Sequence, residues 1–297
     1  MSDQWKPDIV IYHDPCMDGF TAAWAAWKRW PEAAYIPANY GKPAPDVTGK
    51  NVLIVDFSYK RPVLDALAQV AKSIVILDHH KSAAADLEPF AFRESSPGVI
   101  SPDEVNGMLR DLAELGRPPV IAIFDMERSG ARMAWAFAHP EKDVPMLVTL
   151  IEDRDLWRFE FDQTRDFHLR MSIEEKSFSA WDVARDAMVD VYAAEGAVMG
   201  AYRDWLVGRI AGQAQIGNVG DHRVPVVDCP YELASEVGDR LCGMYPDRPF
   251  AAMRVHDHDG TSFSLRSRGG FDCSAVAVRY GGGGHAGAAG FRVPPSI

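Results

Sequence analysis

The sequence has few of the features that would mark a secreted or membrane protein. Its four cysteines form no Cys-x-x-Cys pair and no dense framework, which excludes a disulfide-stapled fold and a thiolate-rich structural zinc site. No apolar run reaches the ~18–20 residues of a membrane span, and residues 1–7 are polar, unlike a signal sequence. We therefore expect a cytoplasmic protein without a membrane partner.

Basic residues are also scarce: 31 Lys and Arg stand against 42 Asp and Glu in 297 residues, a formal net charge of −11. So acidic a chain is not expected to coat long duplexes through phosphate contacts. The excess of acidic over basic residues lies almost wholly in residues 1–213. Residues 214–297 are nearly balanced, with no lysine, eight arginines and nine acidic residues. Either the two parts do different work, the second being suited to phosphate, or the genome simply favours arginine.

The first part, residues 1–213, alternates short apolar runs with helical segments. The apolar runs predict strands at residues 8–12, 34–38, 51–55, 73–77 and 120–124. Helices are predicted at residues 20–30, 62–71, 103–115, 130–138 and 145–151. Continuous apolar strands between helices favour a parallel sheet covered on both faces. Residues 92–119 carry no functional assignment beyond their single helix.

The pattern of predicted elements changes after a long helical stretch at residues 182–212. Strands are predicted at 215–219, 223–227 and 291–293, helices at 232–241 and 273–279, and a hairpin from 250–255 and 262–266. We therefore predict an α/β protein in three parts. A parallel-sheet domain spans residues 1–185, a helical linker spans 186–213, and a smaller α/β domain spans 214–297.

Four polar clusters each follow an apolar strand or a helix end. They are His13-Asp14-Pro15-Cys16-Met17-Asp18-Gly19, Asp56, Asp78-His79-His80 and Glu152-Asp153-Arg154-Asp155. Ligands bind at the carboxyl ends of the strands in open α/β sheets, so these clusters are expected to converge. Their imidazole and carboxylate groups suit Mn²⁺, Mg²⁺, Zn²⁺ or Fe²⁺.

Each cluster taken alone also has a simpler structural interpretation. Asp18-Gly19 is a common turn sequence, and Asp56 could cap a helix. Asp153 and Asp155 could be solvated charges at a helix end. Two histidines and an aspartate directly after a buried strand are harder to explain without chemistry. The conjunction of all four clusters is the argument for a site.

A run of four glycines, Gly281–Gly284, precedes His285. Bare glycine backbone can bring N–H groups close to an anion and form a phosphate nest. Arg266, Arg268 and Arg279 could complete such an anion site. A flexible linker is the alternative, but linkers lie in polar surroundings, and this run is flanked by an apolar helix and Ala-Ala-Gly-Phe.

The order of these motifs resembles the DHH phosphoesterase superfamily, whose associated carboxyl-terminal domain ends in a GGGGH motif. The resemblance covers nearly the whole chain, and the pairing of Asp78-His79-His80 with Gly281–His285 is its most specific part. It implies a two-metal Mn²⁺ centre on the first domain and a substrate-binding second domain, with the active site in the cleft between them.

The resemblance also implies roles for individual residues. Asp56 would bridge two metals, Asp78 would orient a histidine, and His80 would be an acid beside the scissile phosphate. The implied metal ligands are His13, Asp18, Asp56, His79 and Asp153. The implied substrate contacts are Arg266, Ser267, Gly282, Gly283, Gly284 and His285, with Arg268 and Asp155 as further candidates.

The first motif departs from the family pattern His-x-x-x-Asp-x-Asp. Met17 and Gly19 stand where the two aspartates would be, and only Asp18 falls inside that window, with Asp14 and Cys16 as substitutes. Either the spacing is shifted in a subgroup, or the site holds one metal tightly and a second weakly.

The predicted activity is hydrolysis of phosphodiester bonds in short single-stranded oligonucleotides or dinucleotides by metal-activated water. The predicted cofactor is Mn²⁺, as one or two ions, with Mg²⁺ as the alternative. Competing interpretations are a hydrolase of cyclic dinucleotides or of 3′-phosphoadenosine 5′-phosphate, and a nucleotide-binding regulator that has lost catalysis. A homodimer is left open.

Overall fold

A computed structural model describes residues 4–91, 100–186, 188–268 and 270–294. The chain divides into two compact units, Met1–Met199 and Gly200–Ile297. The division falls inside the segment 186–213 that the sequence assigns to a linker. None of the helices in the described part of the chain has the length and hydropathy of a membrane span. The four cysteines are all free thiols.

The first unit alternates strands and helices over most of its length. Its strands are β1 Ile9–His13, β2 Ala34–Ala38, β3 Asn51–Val55, β4 Ser73–Asp78 and β5 Val120–Phe124. Its helices are α1 Met17–Trp27, α2 Arg61–Val70, α3 Lys81–Asp86, α4 Pro102–Glu114, α5 Gly130–Ala138, α6 Met146–Asp155, α7 Thr164–Met171 and α8 Phe178–Asp186. Helix α9, Val189–Ala211, runs from this unit into the next.

The five strands form one parallel sheet in the order β2-β1-β3-β4-β5. Strand β4 is buried at every position, and β3 at all but its first. Alternate residues of the strands supply two separate apolar cores: Leu53 and Val75 belong to one, Ile54 and Ile76 to the other. The prediction of an α/β fold with a parallel sheet covered on both faces is confirmed.

The sequence placed several boundaries incorrectly. Helix α1 begins at Met17 rather than at residue 20, so Asp18 and Gly19 lie in its first turn and do not form an isolated turn. Asp56 caps no helix, because α2 begins only at Arg61. Helix α6 extends through the polar cluster to Asp155. The stretch 182–212 is covered by two helices, and of segment 92–119, residues 92–99 lie outside the described residues.

The second unit has its own sheet. Its strands are β6 Gln215–Val219, β7 His222–Asp228, β8 Ala251–Asp257, β9 Gly260–Arg266, β10 Gly283–Gly284 and β11 Ala288–Val293. Its helices besides the end of α9 are α10 Ala234–Met244 and α11 Cys273–Arg279. The strand order is β10-β11-β9-β8-β7-β6, with β7 and β8 parallel and the other neighbours antiparallel. The smaller α/β unit predicted from the sequence is thus present.

Candidate metal centre and active site

The polar clusters of the first unit meet at one edge of the parallel sheet. His13 is the last residue of β1, Asp56 follows β3, and Asp78 is the last residue of β4. These three strands are neighbours and parallel, so their carboxyl ends lie side by side. This edge is where open α/β sheets bind their ligands. The convergence expected from the sequence therefore occurs.

Asp56 occupies the centre of the arrangement. Its backbone has a φ of 54°, a left-handed conformation that turns the chain immediately after β3. Its Oδ1 lies 2.9 Å from Nε2 of His79, and its Oδ2 lies 3.5 Å from Nδ1 of His13. The two oxygens of one carboxylate thus face two different histidines. Only 1% of Asp56 is exposed.

Asp18 reaches the same place from the first turn of α1. Its carboxylate accepts hydrogen bonds from the backbone N–H groups of Gly130, at 2.6 Å, and Ala131, at 3.1 Å. These groups open α5, so the carboxylate sits at the positive end of that helix. Its Oδ2 also lies 3.8 Å from Nε2 of His79. Asp18 is therefore oriented by α5 and directed towards His79.

The two aspartates near the end of α6 lie in different surroundings. The carboxylate of Asp153 faces away from the cluster and accepts hydrogen bonds from the N–H groups of Glu160 and Phe161 and from the hydroxyl of Thr164. Asp155 instead lies with its Oδ2 3.7 Å from Nε2 of His79. Two residues along a helix are about 200° apart, so the two carboxylates cannot face the same side. Of the two, Asp155 is the aspartate that lies beside His79.

The different surroundings of these two aspartates give opposite predictions for Asp155→Asn and Asp153→Asn. Asp155→Asn should weaken binding of divalent metal without lowering the stability of the metal-free protein, because burial and the charge of Asp56 already raise the pKa of Asp155. Asp153→Asn should cost about 1–3 kcal/mol of stability, since its carboxylate is the acceptor for three donors. Calorimetric metal titration and denaturant unfolding check the two effects. Equal loss of stability in both variants would contradict this division.

Among the described residues of this unit, three sets of side chains could hold a metal ion. Asp18, His79 and Asp155 form one set, His13, Cys16 and Asp56 form another, and Asp56, Asp78 and His80 form a third. Within each set the ligand atoms lie within 4.8 Å of one another. Three polar atoms of these sets are buried and have no hydrogen-bond partner: Nδ1 of His13, Oδ2 of Asp56 and Oδ2 of Asp155. Buried polar atoms left in this way need a partner, and a cation fits this donor set.

The electrostatics of the cluster favour a cation as well. Burial alone would lower the pKa of His79, but its hydrogen bond with Asp56 and the charges of Asp155, Asp56 and Asp18 raise it to about 10. Burial, followed by the charges of Asp56 and Asp155, raises the pKa of Asp18 well above its usual range. Three carboxylates around one imidazole thus attract positive charge, and a divalent metal would compete with the proton for the site.

Asp78 holds His80 rather than His79 by its side chain. Its Oδ1 lies 2.7 Å from Nδ1 of His80 and accepts from the backbone N–H of His79, and its Oδ2 accepts from Oγ of Ser58 at 2.5 Å. Burial by itself would lower the pKa of His80, but the charge of Asp78 and this hydrogen bond raise it. The pair resembles the carboxylate–imidazole arrangement of general acids and bases.

Sequence reasoning missed the aromatic residues beside His13. The ring of Phe57 stacks on the His13 ring at a centroid distance of 5.9 Å, and Tyr40 meets it edge-on at 5.6 Å. Phe57 directly follows Asp56, a position that the sequence could have flagged. Asp14, considered as a substitute ligand, points elsewhere, because its carboxylate pairs with Nζ of Lys176 at 3.2 Å.

Two glycines that pack around the carboxylates were also missed. A Cβ on Gly19 would lie 2.8 Å from Cβ of His13 and 3.0 Å from Oδ2 of Asp56. A Cβ on Gly130 would lie 2.9 Å from Oδ2 of Asp18 and 2.9 Å from Cα of Asp56. Neither close approach leaves a trace in a single sequence, apart from Gly19 following an aspartate.

The arginines of the second unit are largely engaged within that unit. Arg266 donates to the hydroxyls of Ser235 and Ser264 and to the carbonyl of Leu265. Four others pair with an aspartate of the same unit. These pairs are Arg254–Asp228, Arg268–Asp239, Arg279–Asp221 and Arg292–Asp257. The near balance of charge seen in the sequence therefore reflects local ion pairs.

The glycine run forms a tight hairpin. Gly283 and Gly284 pair with Gly290 and Ala289 of β11. The N–H groups of Gly281 and Gly282 donate to carbonyls of Val278 and Ala277, and that of His285 donates to Ala288. These three N–H groups therefore already have partners in the chain. Ser267, the other predicted contact, donates its hydroxyl to the carbonyl of Phe271.

Residues 228–296 match the DHHA1 domain family. This range begins at the last residue of β7 and includes the glycine hairpin. The uncharacterized protein R106 of Acanthamoeba polyphaga mimivirus is 27% identical over 307 residues, which cover 95% of this chain and 66% of that protein. The chain thus spans just under two-thirds of the length of this curated relative.

Solved structures resemble the chain over nearly its whole length. The DHH domain of a member of a family of ribosomal proteins has a TM-score of 0.51 at 14% identity, covering 96% of this chain and 82% of that one. An exopolyphosphatase-related protein from Bacteroides fragilis has a TM-score of 0.46 at 14% identity, covering 98% and 89%. At such identities the likeness concerns the fold. The chain therefore carries a DHHA1 domain at residues 228–296 and has the fold of the DHH-family proteins.

Proposed function

We propose that the protein is a metal-dependent phosphohydrolase that cleaves phosphodiester bonds in short single-stranded oligonucleotides or dinucleotides. The observation that carries this proposal is the position of Asp56, whose two carboxylate oxygens face His13 on one side and His79 on the other. A carboxylate that lies between two histidines could contribute to two ligand sets, which would suit a two-metal hydrolytic centre. The DHHA1 domain supports the same chemistry.

The proposed ligands are those that the geometry brings together. They are His13, Asp18, Asp56, His79 and Asp155, with Asp155 in place of Asp153. Bound divalent ions, Mn²⁺ with Mg²⁺ as the alternative, would supply the Lewis acidity that phosphoryl transfer to water needs. The acidity of residues 1–213 suits such a site, because bound cations reverse the local charge.

The chain's own contribution to proton transfer would come from His80. Its Nδ1 is held by Asp78, so Nε2 is the ring nitrogen that faces away from that carboxylate. Burial by itself would lower the pKa of His80, but the charge of Asp78 raises it, which favours the protonated ring. Held in this way, His80 is the proposed acid that gives a proton at Nε2 to the leaving oxygen.

The proposed substrate contacts in the second unit are Ser267, Gly283, Gly284, His285 and Arg268. Gly282 has a packing role, since its N–H is bonded within the chain and a Cβ there would collide with Gly290 and Phe291. Arg266 has its guanidinium donating to Ser235 and Ser264, and we propose that it shapes the surface beside Ser267. A cytoplasmic location and a homodimer stay predictions.

The test is hydrolysis of a substrate panel by the purified protein with Mn²⁺, with Mg²⁺ and with chelator. The panel contains di- to pentanucleotides of RNA and DNA, cyclic dinucleotides and 3′-phosphoadenosine 5′-phosphate. We expect metal-dependent release of mononucleotides from the short linear substrates. Turnover confined to a cyclic dinucleotide or to the bisphosphate would replace the proposed substrate, and nucleotide binding without any turnover would assign a regulator instead.

The variant His80→Gln tests the proposed role of His80 as the acid. It should lower kcat by about 10²–10⁴-fold while leaving metal affinity close to wild type, because proton transfer rather than metal binding is removed. The loss should be smaller with a substrate whose leaving group is an activated phenol that needs no proton. An equal loss with both kinds of substrate would contradict the role of His80.

A further inference from the structure

Cys16 lies among the ligand groups of the proposed metal centre. Its sulfur, a ring nitrogen of His13 and a carboxylate oxygen of Asp56 are all within 4.8 Å of one another. Cys16 stands directly before α1, and its side chain makes no hydrogen bond to cap that helix. The thiol therefore has no evident structural task at the helix end.

Independent evidence for a ligand at this point comes from the neighbouring polar atoms. Oδ2 of Asp56 and Nδ1 of His13 are buried and have no hydrogen-bond partner, and Asp56 as a whole is only 1% exposed. The two atoms are 3.5 Å apart, too far for a good hydrogen bond between them. A ring nitrogen of His13 and a carboxylate oxygen of Asp56 also lie within 4.8 Å of the Cys16 sulfur, so the three side chains surround one position where a cation would satisfy these polar atoms.

We propose that Cys16 binds a metal ion as a thiolate together with His13 and Asp56, so that the protein has one sulfur-containing metal position and one built from oxygen and nitrogen ligands alone. The second position is the set Asp18, His79 and Asp155. The proposal rests on the metal centre of the proposed function, and it adds that the two positions are chemically unequal.

The altered first motif has a simple explanation in these terms. The family pattern places two aspartates two residues apart, but Met17 and Gly19 occupy those positions here. Cys16 and Asp18 keep the two-residue separation and lie one residue nearer to His13. One member of the pair then joins each metal position, Cys16 beside His13 and Asp18 beside His79.

A thiolate changes which metal this position prefers. Thiolate ligands select softer ions such as Zn²⁺, whereas carboxylate and water suit Mg²⁺ and Mn²⁺. Coordination replaces the thiol proton, which is released to solvent as the sulfur–metal bond forms. The Cys16 position should therefore favour Zn²⁺ or Co²⁺, and the other position should remain suited to Mn²⁺ or Mg²⁺.

The first experiment is titration of Co²⁺ into the metal-free protein, followed by absorption spectroscopy. Wild type should develop a near-ultraviolet sulfur-to-cobalt charge-transfer band that is missing from Cys16→Ser and Cys16→Asp. Asp is a good residue before a helix, so Cys16→Asp should keep α1 intact and still bind metal. Cys242→Ser is the matched control, because Cys242 is the other half-buried cysteine and lies in the second unit.

The second experiment is X-ray absorption at the zinc edge. One sulfur neighbour at about 2.3 Å is expected in wild type and in Cys242→Ser, and none in Cys16→Asp. The ratio of Co²⁺ to Mn²⁺ affinity should fall at least about tenfold in Cys16→Asp.

Metal binding without a sulfur signature, or a sulfur signature that persists in Cys16→Asp, would overturn the assignment of Cys16 and leave the proposed hydrolysis standing. A protein that binds no divalent metal would overturn both. Conversely, a clear sulfur signature in a protein with no hydrolytic activity would support Cys16 as a ligand and reject the proposed function. The two proposals therefore fail separately.

Discussion

Replacing Asp56 with asparagine is expected to abolish metal-dependent hydrolysis and to weaken metal binding by more than about 100-fold. This loss is larger than the one caused by removing a residue that only orients a metal ligand, because Asp56 is itself a proposed ligand. Among the described residues of the first unit, Asp56 is the one side chain that has one carboxylate oxygen facing His13 and the other facing His79. Its loss should therefore affect both metal positions together. Isothermal titration with Mn²⁺ and Zn²⁺ measures the effect directly.

Asparagine is the appropriate replacement because of the backbone at this position. Asp56 has a φ of 54°, and asparagine adopts this left-handed conformation readily, whereas alanine would add strain. The side chain keeps its shape and loses its charge. A variant that remains folded but cannot bind metal then isolates the role of the carboxylate.

Asp65→Asn is the matched control for Asp56→Asn. Asp65 is an exposed carboxylate on α2, with an ion pair to Arg61 at 3.7 Å. Removing an exposed pair of this kind changes stability by less than about 1 kcal/mol. Asp65→Asn should bind metal and hydrolyse substrate as wild type does. Full metal affinity in Asp56→Asn would reject the central position of this residue.

The sheet edge was predictable because of what surrounds it in the sequence. Strands β3 and β4 are unbroken apolar runs, and the first polar residue after β3 and the last residue of β4 must leave the core at the same edge. That geometry alone brings Asp56 and Asp78 together. The sequence therefore indicates the place of the candidate site and the type of side chains that form it.

The choice between Asp153 and Asp155 was partly open to sequence reasoning. Leu147, Leu150 and Ile151 recur at the three- and four-residue spacing of one helix face, and Asp155, four residues after Ile151, lies on that face. Asp153 is about 200° away from Asp155 around the helix. Its burial comes from hydrogen bonds with residues 160–164, a tertiary contact that the pattern does not reveal.

The glycine run shows a similar limit. Four glycines indicate close backbone approach, and they do occur in a tight hairpin where a Cβ on Gly284 would lie 2.7 Å from Cα of Ala289. Whether their N–H groups face a ligand or the chain depends on the partner strand. Strand β11 and the end of α11 engage part of the run, which local sequence does not reveal.

Gly130→Ala is expected to destabilise the protein by about 1–3 kcal/mol and to weaken metal binding, since a new methyl group must fit into a fully packed place. The methyl would lie 2.9 Å from both Oδ2 of Asp18 and Cα of Asp56, and closer still to Cβ of Asp56. Backbone and buried carboxylate must therefore move. Denaturant unfolding and metal titration measure the two losses.

Gly107→Ala is the control for Gly130→Ala. Gly107 lies within α4, and the nearest atom to a Cβ there is an Arg110 side-chain nitrogen at 3.9 Å. Alanine in a helix interior is more stable than glycine by about 0.5–1 kcal/mol, so this variant should gain stability. The opposite signs of the two substitutions separate a steric effect at Gly130 from the general preference of helices for alanine.

A double-mutant cycle tests whether the methyl group of Gly130→Ala collides with the side chain of Asp56. Asp56→Gly removes the Cβ that the new methyl would meet, and glycine is at ease at a φ of 54°. If Asp56 is the obstacle, Gly130→Ala should cost less in the Asp56→Gly protein than in wild type, with a coupling of about 0.5–3 kcal/mol. Additive effects would place the strain at the atoms that remain in the double variant, the Cα of residue 56 and the hydrogen bonds by which Gly130 and Ala131 hold Asp18. Strain at those hydrogen bonds would weaken metal binding at Asp18 and His79 more than at His13 and Cys16, because Asp18 belongs to the first set alone.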